Sequence, residues 1–231
     1  MVLLTESRTL FLGHFGSGKT EVAIHFALSL TTGPKRPLLL DLDFITPYYR
    51  SREVREELAR QGVDLIAPEG DLSRSDLPVV TSQALHSLAS YAGPVVVDVG
   101  GDEGARVIGS MAHLLPASGY QAVMVVNTYR PGTGTPAQIA QYARWLEQIA
   151  RIRFSALVNN ANVGPFTTPA HLVTGRKLVE SAAELLGLPV AFSAATEDVA
   201  RQIDGHKVLP LQLRMRPPWE GSAHPSPQGG R

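Results

Sequence analysis

The chain has 231 residues, no formal net charge and only 18% charged residues, enough for one well-buried α/β domain and without the basic face of a nucleic-acid binder. Cysteine is absent, which excludes a disulfide framework, a thiolate zinc site and a cysteine-held iron–sulfur cluster in this chain. No apolar stretch approaches the ~20 residues that span a bilayer, and Met1–Arg8 has no basic stretch ahead of an apolar core, so neither a membrane association nor an export signal is expected and a cytoplasmic location is.

The first predicted element is a strand over Thr9–Leu12. It runs into Gly13-His14-Phe15-Gly16-Ser17-Gly18-Lys19-Thr20, a complete G-x-x-x-x-G-K-[ST] phosphate loop. In such a loop the glycines let successive N–H groups turn inward around a β-phosphate, and the positive end of the next helix adds to the field. Lys19 reaches the β- and γ-phosphates, and the Thr20 hydroxyl ligates Mg²⁺. A glycine-rich strand-to-helix turn can match by chance, but this one opens a helix over Glu21–Leu30 with Val22, Ala23, Phe26, Ala27 and Leu30 on one face.

A strand over Pro37–Leu42 follows and ends in acid, Asp41-Leu42-Asp43. Alternation puts both carboxylates on one side of the strand. There, one carboxylate holds a Mg²⁺-bound water and the other orients the attacking water, or both are simply solvated at a strand end. Arg50 and Arg52 come next, either contacting phosphate or an acidic partner or forming a solvated start to the helix Arg52–Gln61. A strand over Val63–Ile66 and a helix over Leu77–Tyr91 lead to the strand Pro94–Val99. Its Val95-Val96-Val97-Asp98 run delivers a second carboxylate, and Gly100-Gly101 after it predicts a mobile D-x-x-G loop that senses the γ-phosphate. Asp98 is the expected Walker B acid for Mg²⁺.

The rest of the chain continues the alternation with helices Ala105–Leu115, Pro136–Arg151 and Gly175–Leu186 and strands Ala122–Asn127, Ala156–Asn159 and Pro189–Phe192. Thr135-Pro136 predicts a capped helix start. The strands read as unbroken apolar runs, so the expected fold is α/β: a mostly parallel sheet with helices on both faces. Residues 1–213 read as one nucleotide-binding domain, and 214–231, rich in proline and glycine, as a flexible tail. Asn159-Asn160-Ala161-Asn162 lacks the lysine and the final aspartate of the guanine-reading N-K-x-D motif, which favours ATP over GTP.

The order of phosphate loop, Asp41-Leu42-Asp43, Asp98-Val99-Gly100-Gly101 and Leu157-Val158-Asn159 resembles the MinD/ParA/CobQ class of P-loop ATPases over about residues 8–204. Residues 13–21, 43–53 and Asn127-Thr128-Tyr129-Arg130-Pro131 resemble an uncharacterised bacterial ATP-binding branch of it. The resemblance implies an ATP-dependent homodimer, Asp43 as the water-activating acid, and Asn159 as a hydrogen-bonding partner of adenine. The class has a second lysine after the first loop glycine, reaching the partner's phosphates; this chain has His14, a shorter side chain that carries less charge at neutral pH. Either another cation such as Arg50 or Arg52 substitutes, or His14 is structural. The expected function is a Mg²⁺-dependent ATPase acting as a switch or maturation factor for an unidentified protein partner. A small-molecule kinase is the alternative, and a non-enzymatic binding module is disfavoured by the intact Lys19, Thr20, Asp43 and Asp98 set.

Overall fold

The computed structural model describes residues 4, 7–42, 52–67, 86–110, 112, 115 and 119–214. Asp43, Arg50 and residues 215–231 lie outside the described residues, as does most of the helix expected over 77–91. The strands are β1 (Arg8–Leu12), β2 (Leu38–Leu42), β3 (Asp64–Ile66), β4 (Val95–Val99), β5 (Tyr120–Val126), β6 (Phe154–Asn159), β7 (Val190–Thr196) and β8 (Val208–Leu211). The helices are α1 (Lys19–Ser29), α2 (Arg52–Arg60), α3 (described over 86–90), α4 (Gly101–Ser110), α5 (Pro136–Ala150), α6 (Pro169–Leu186) and α7 (Glu197–Ala200).

All eight strands are parallel, in the order β3-β2-β4-β1-β5-β6-β7-β8. Parallel strands buried on both faces need apolar side chains pointing each way, and the Val and Leu runs of β2, β4 and β5 supply them. Leu38, Leu40, Val95, Val97, Met124 and Val126 pack with Ile139, Leu146 and Val179 on one face. Leu39, Val96, Val123 and Val125 pack with Val22, Ile24 and Ala27 of α1 on the other. The sheet is therefore the middle of three layers. β1 lies between β4 and β5, the point where the connections diverge, and in open α/β sheets the crevice at that point takes the ligand.

Three local results differ from the sequence expectations and one agrees with them. β8 was not expected, because Pro210 interrupts its apolar run; as the edge strand it needs hydrogen bonds on one side only. The helix after β4 begins at Gly101, not Ala105, so Gly100 alone separates strand from helix and no mobile glycine loop forms there. Asp102 and Glu103 in its first turn favour that start, and Gly104 lets it sit close, where a Cβ would lie 3.2 Å from the Leu42 carbonyl. α6 starts at Pro169 rather than Gly175, with a Thr168–His171 capping box. Thr135 caps α5 as expected, accepting from the Gln138 N–H at 3.3 Å.

The segment after β8 is anchored through Arg214, the first residue of the expected tail. Its N–H donates to Glu21 Oε1 at 2.7 Å and its guanidinium to Gln61 Oε1 at 2.7 Å. Two residues earlier, the Gln212 N–H donates to His25 Nε2 at 2.9 Å. With Nε2 accepting, the imidazole proton sits on Nδ1 and is donated to the Glu21 carbonyl at 2.9 Å. Burial holds His25 below the ordinary histidine range and Arg214 pushes the same way, while the Glu21 hydrogen bond and the Glu21 and Glu197 charges oppose them. The unfolded chain takes up this proton first as pH falls, so the stabilising contribution is complete above the ordinary histidine pKa and is lost below it. The melting temperature should accordingly fall as pH drops from about 6.5 towards 5, and His25→Gln, which keeps an acceptor but cannot titrate, should flatten part of that decline in calorimetry.

Candidate functional site

The phosphate loop lies at the carboxyl end of β1 and is closed by its own glycines. Gly13, Gly16 and Gly18 have φ of 151°, 72° and 82°, in the region that side chains avoid. Space is as restrictive as conformation. A Cβ on Gly13 would lie 2.4 Å from the Val125 carbonyl, and one on Gly18 2.3 Å from Asn160 Nδ2. The loop is thus pressed against the ends of β5 and β6, and Asn160 Nδ2 donates to the Ser17 carbonyl at 2.7 Å.

Within this curl Lys19 is buried and its Nζ donates to the His14 carbonyl at 3.2 Å, across the loop. Gly18 caps α1 without a side-chain hydrogen bond to the helix N–H groups, which leaves that end of the helix open to an anion. The Ser17 hydroxyl is buried with no hydrogen-bond partner. An open helix N-terminus, a lysine and a hydroxyl in a cradle with no room for a Cβ on Gly13 or Gly18 fit a polyphosphate.

The acids come from register. Asp41 of β2 and Asp98 of β4 are paired residues on adjacent strands, and Asp98 is also level with Phe11 of β1. Both carboxylates are buried. Leu39 and Val96, two residues earlier on each strand, face α1, so alternation turns Asp41 and Asp98 to the same side. Lys19 and Thr20 begin α1 on that side. Thr20, Asp41 and Asp98 are therefore on the α1 side of the sheet, near the carboxyl ends of β2 and β4. Mg²⁺ commonly takes one or two carboxylates with the remaining oxygens from phosphates and water, and this donor set suits that habit; among the described residues no three His, Asp or Glu side chains gather as a metal site of their own.

A cavity of about 280 Å³ opens beside the loop. Phe15, Lys19, Thr20 and Glu21 form one part of its lining, Asn160, Asn162 and Thr167 another, and Leu211 and Leu213 a third. Asn159 does not reach it. That side chain has no exposure; Nδ2 donates to the Leu172 carbonyl at 3.1 Å and to Ser193 Oγ at 3.0 Å, while Oδ1 accepts from the Ala161 N–H at 3.3 Å. Its hydrogen bonds hold the β6 loop, so the expected adenine contact does not fit this placement. Asn160 and Asn162 line the cavity instead; the strand ends at Asn159 as expected, and the residues just past that end are the ones that reach the cavity.

His14 faces its own chain. Its Nδ1 is 2.9 Å from the Phe15 carbonyl, and its ring packs against Tyr142 with centroids 5.2 Å apart. The Tyr142 hydroxyl donates to Asp102 Oδ1 at 2.6 Å. Burial and that acceptor push Tyr142 well above the usual tyrosine range, so it stays a donor at any working pH. The placement is that of a structural histidine bridging the phosphate loop to α5 and, through Tyr142, to α4.

Arg130 is a site residue to which the sequence reading assigned no role. It follows β5, lines the cavity and donates from Nε to the Gly16 carbonyl at 3.1 Å. No helix among the described residues is long and apolar enough to cross a membrane.

No protein-family model and no curated protein matches the chain. Solved structures do. Chloroplast FtsY from Physcomitrella patens superposes with a TM-score of 0.56 at 19% identity, over 84% of this chain and 60% of that one. Cell division protein FtsY from Thermotoga maritima gives 0.54 at 16%, over 82% and 62%. Signal recognition particle 54 kDa protein from Aeropyrum pernix K1, in complex with GDP, gives 0.52 at 19%, over 80% and 40%. The chain spans about 60% of the length of the first of these neighbours. At such identities the likeness shows the fold alone, a parallel α/β sheet with flanking helices shared with these FtsY and signal recognition particle structures.

Proposed function

We propose that the chain is a Mg²⁺-dependent ATP-binding protein that hydrolyses ATP and serves as a nucleotide-driven switch or maturation factor for a protein partner. The observation that carries this reading is the convergence of Lys19, Thr20 and the register-paired Asp41 and Asp98 on the α1 side of the sheet, near the carboxyl ends of its strands. Lys19 places its charge against the β- and γ-phosphates. Thr20 and Asp98 would hold the metal, with Asp41 holding it through water, and the ion would neutralise phosphate charge. Asp43, two residues past Asp41 in sequence, orients the attacking water.

The choice of base turns on Asn162. One solved neighbour holds GDP, so the fold accommodates guanine. A guanine reader needs a carboxylate that accepts from both N1–H and the 2-amino group. Asn162 instead carries an amide; its Nδ2 donates to the Asn160 carbonyl at 2.7 Å and its Oδ1 accepts from the Gly164 N–H at 3.3 Å, which leaves one N–H and one oxygen lone pair to complement an adenine edge. Its backbone is fixed by donation to Asn127 Oδ1 at 3.1 Å, so the amide is held at the cavity wall.

An ATP-dependent homodimer through the loop face belongs to the same proposal. Phe15 is 67% exposed beside the cavity and Phe166 79% exposed on the adjoining turn, apolar surface that a second copy would cover. Because His14 is engaged within its own chain, charge reaching across that interface has to come from another residue.

Three outcomes follow. Lys19→Ala should keep its fold and lose on the order of 100-fold or more in MgATP turnover, as removal of a positioned charge does; unchanged binding and turnover in a folded variant would refute the phosphate-loop assignment. Asp43→Ala should bind MgATP normally and hydrolyse it at least about 100-fold more slowly, measured by phosphate release, and transfer of label to a metabolite instead would favour the kinase. Asn162→Asp should move the ATP-to-GTP affinity ratio roughly 10-fold towards GTP, read by competition against a fluorescent nucleotide.

A further inference from the structure

Arg130 is exposed at the cavity yet firmly placed. The turn that carries it is tied at both ends: the Arg130 N–H donates to the Asn127 carbonyl at 3.2 Å, and the Thr133 hydroxyl donates to the Asn127 and Arg130 carbonyls at 2.7 and 3.2 Å. Asn127 Oδ1 accepts from the Tyr129 and Asn162 N–H groups, both at 3.1 Å. The guanidinium then lies directly over the loop, with Nε, Cζ and one terminal nitrogen 3.2–3.5 Å from where a Gly16 Cβ would stand. None of the ion pairs among the described residues involves it.

The lining of the cavity tells which end of a nucleotide Arg130 meets. Of the residues assigned to phosphate and metal, Lys19 and Thr20 border the cavity on one side while Asp41 and Asp98 do not; the part of the lining away from Lys19 and Thr20 is Asn160, Asn162, Thr196, Leu211 and Leu213. This is the base and ribose end. In the sheet β6 and β7 lie between β5 and β8, so Arg130, after β5, and Leu213, after β8, reach the cavity from its two flanks. Leu213 is 57% exposed, and its backbone is pinned on either side by the Gln212 and Arg214 hydrogen bonds to His25 and Glu21.

We propose that Arg130 is the stacking residue for the nucleobase, its guanidinium covering one face of the purine while Leu213 covers the other. The inference rests on the nucleotide-site reading of this cavity and goes beyond it. A planar, weakly hydrated guanidinium stacks on aromatic faces and attracts them as a cation, and the donation from Nε to Gly16 holds it there before any ligand arrives. Such a clamp supplies affinity for purines without choosing between them. The choice is left to Asn162.

The test is calorimetric titration of the full chain and its variants with two probes, MgATP and magnesium tripolyphosphate, which has the phosphates but no base. Arg130→Ala should weaken ATP binding roughly 10-fold and leave tripolyphosphate binding within about 2-fold of the parent. Arg130→Gln keeps a donor for the Gly16 carbonyl and should show the same selective loss, so a loop disturbed in the alanine variant cannot account for it. Equal loss of both probes would mean that Arg130 serves the phosphates or merely holds the loop, and would overturn the proposal; so would unchanged ATP binding. If the parent chain binds neither probe, the nucleotide-site reading itself fails. If it binds tripolyphosphate as tightly as ATP, the site stands and the clamp does not.

Discussion

The close approach of the phosphate loop to the ends of β5 and β6 is the constraint on which the rest of the site depends. Gly13 passes so near the Val125 carbonyl, and Gly18 so near the Asn160 amide, that a Cβ at either would lie within 2.4 Å of a neighbouring atom. Outward-facing loop carbonyls are met from outside the loop: Ser17 by Asn160 and Gly16 by Arg130. Asn160 and Arg130 thus hold these two carbonyls outward, while inside the curl the His14 carbonyl accepts from the Ser17 N–H at 3.0 Å. The glycines permit the curl and the two donors maintain it, so the shape exists without a ligand. A preorganised set of donors costs little reorganisation when charge arrives.

Parallel pairing does for the acids what the glycines do for the loop. In a parallel ladder the residues on neighbouring strands stay level, and side chains alternate between faces. Asp41 and Asp98 are level with each other, and both face α1. Burying two carboxylates side by side is unfavourable unless positive charge compensates them, and Lys19 at the start of α1 lies on that face. A divalent cation would add more. The apolar residues that precede each acid are therefore part of the site, because a one-residue slip of either strand would turn its carboxylate into the opposite layer.

Most of this was legible in the sequence, for physical reasons. Buried parallel strands are apolar on both faces, so β2, β4 and β5 announce themselves as unbroken runs, and the Thr135-Pro136 cap marks α5 because proline suits the first helical turn. What was hidden depends on geometry that a linear pattern does not carry. β8 was masked by Pro210, which only an edge position tolerates. The Gly100-Gly101 pair read as a loop because glycine has two uses, freedom and thinness, and in Gly104 the helix after β4 uses thinness. Asn159 and Asn160 are adjacent, and which one reaches a ligand depends on where β6 ends relative to its pleat. Arg130 is 114 residues from the carbonyl it binds; only the sheet order β1-β5 brings them together.

The same connectivity ties distant parts of the chain to the loop through single side chains. Tyr142 of α5 touches His14 with its ring and Asp102 with its hydroxyl. Since only Gly100 separates β4 from α4, the first turn of α4 follows Asp98 with almost no slack, and any displacement there meets the loop through one aromatic residue. At the other end, His25 and Glu21 of α1 hold the strap that carries Leu213. α1 thus starts at the phosphate loop and, within its first two turns, anchors a wall of the neighbouring cavity. A helix is stiff over that distance, because each turn is fixed by its own hydrogen bonds. The spacing between the phosphate loop and the Leu213 wall is set by α1 rather than by the strap, so a variant that frees the strap should disturb that wall and leave the loop intact.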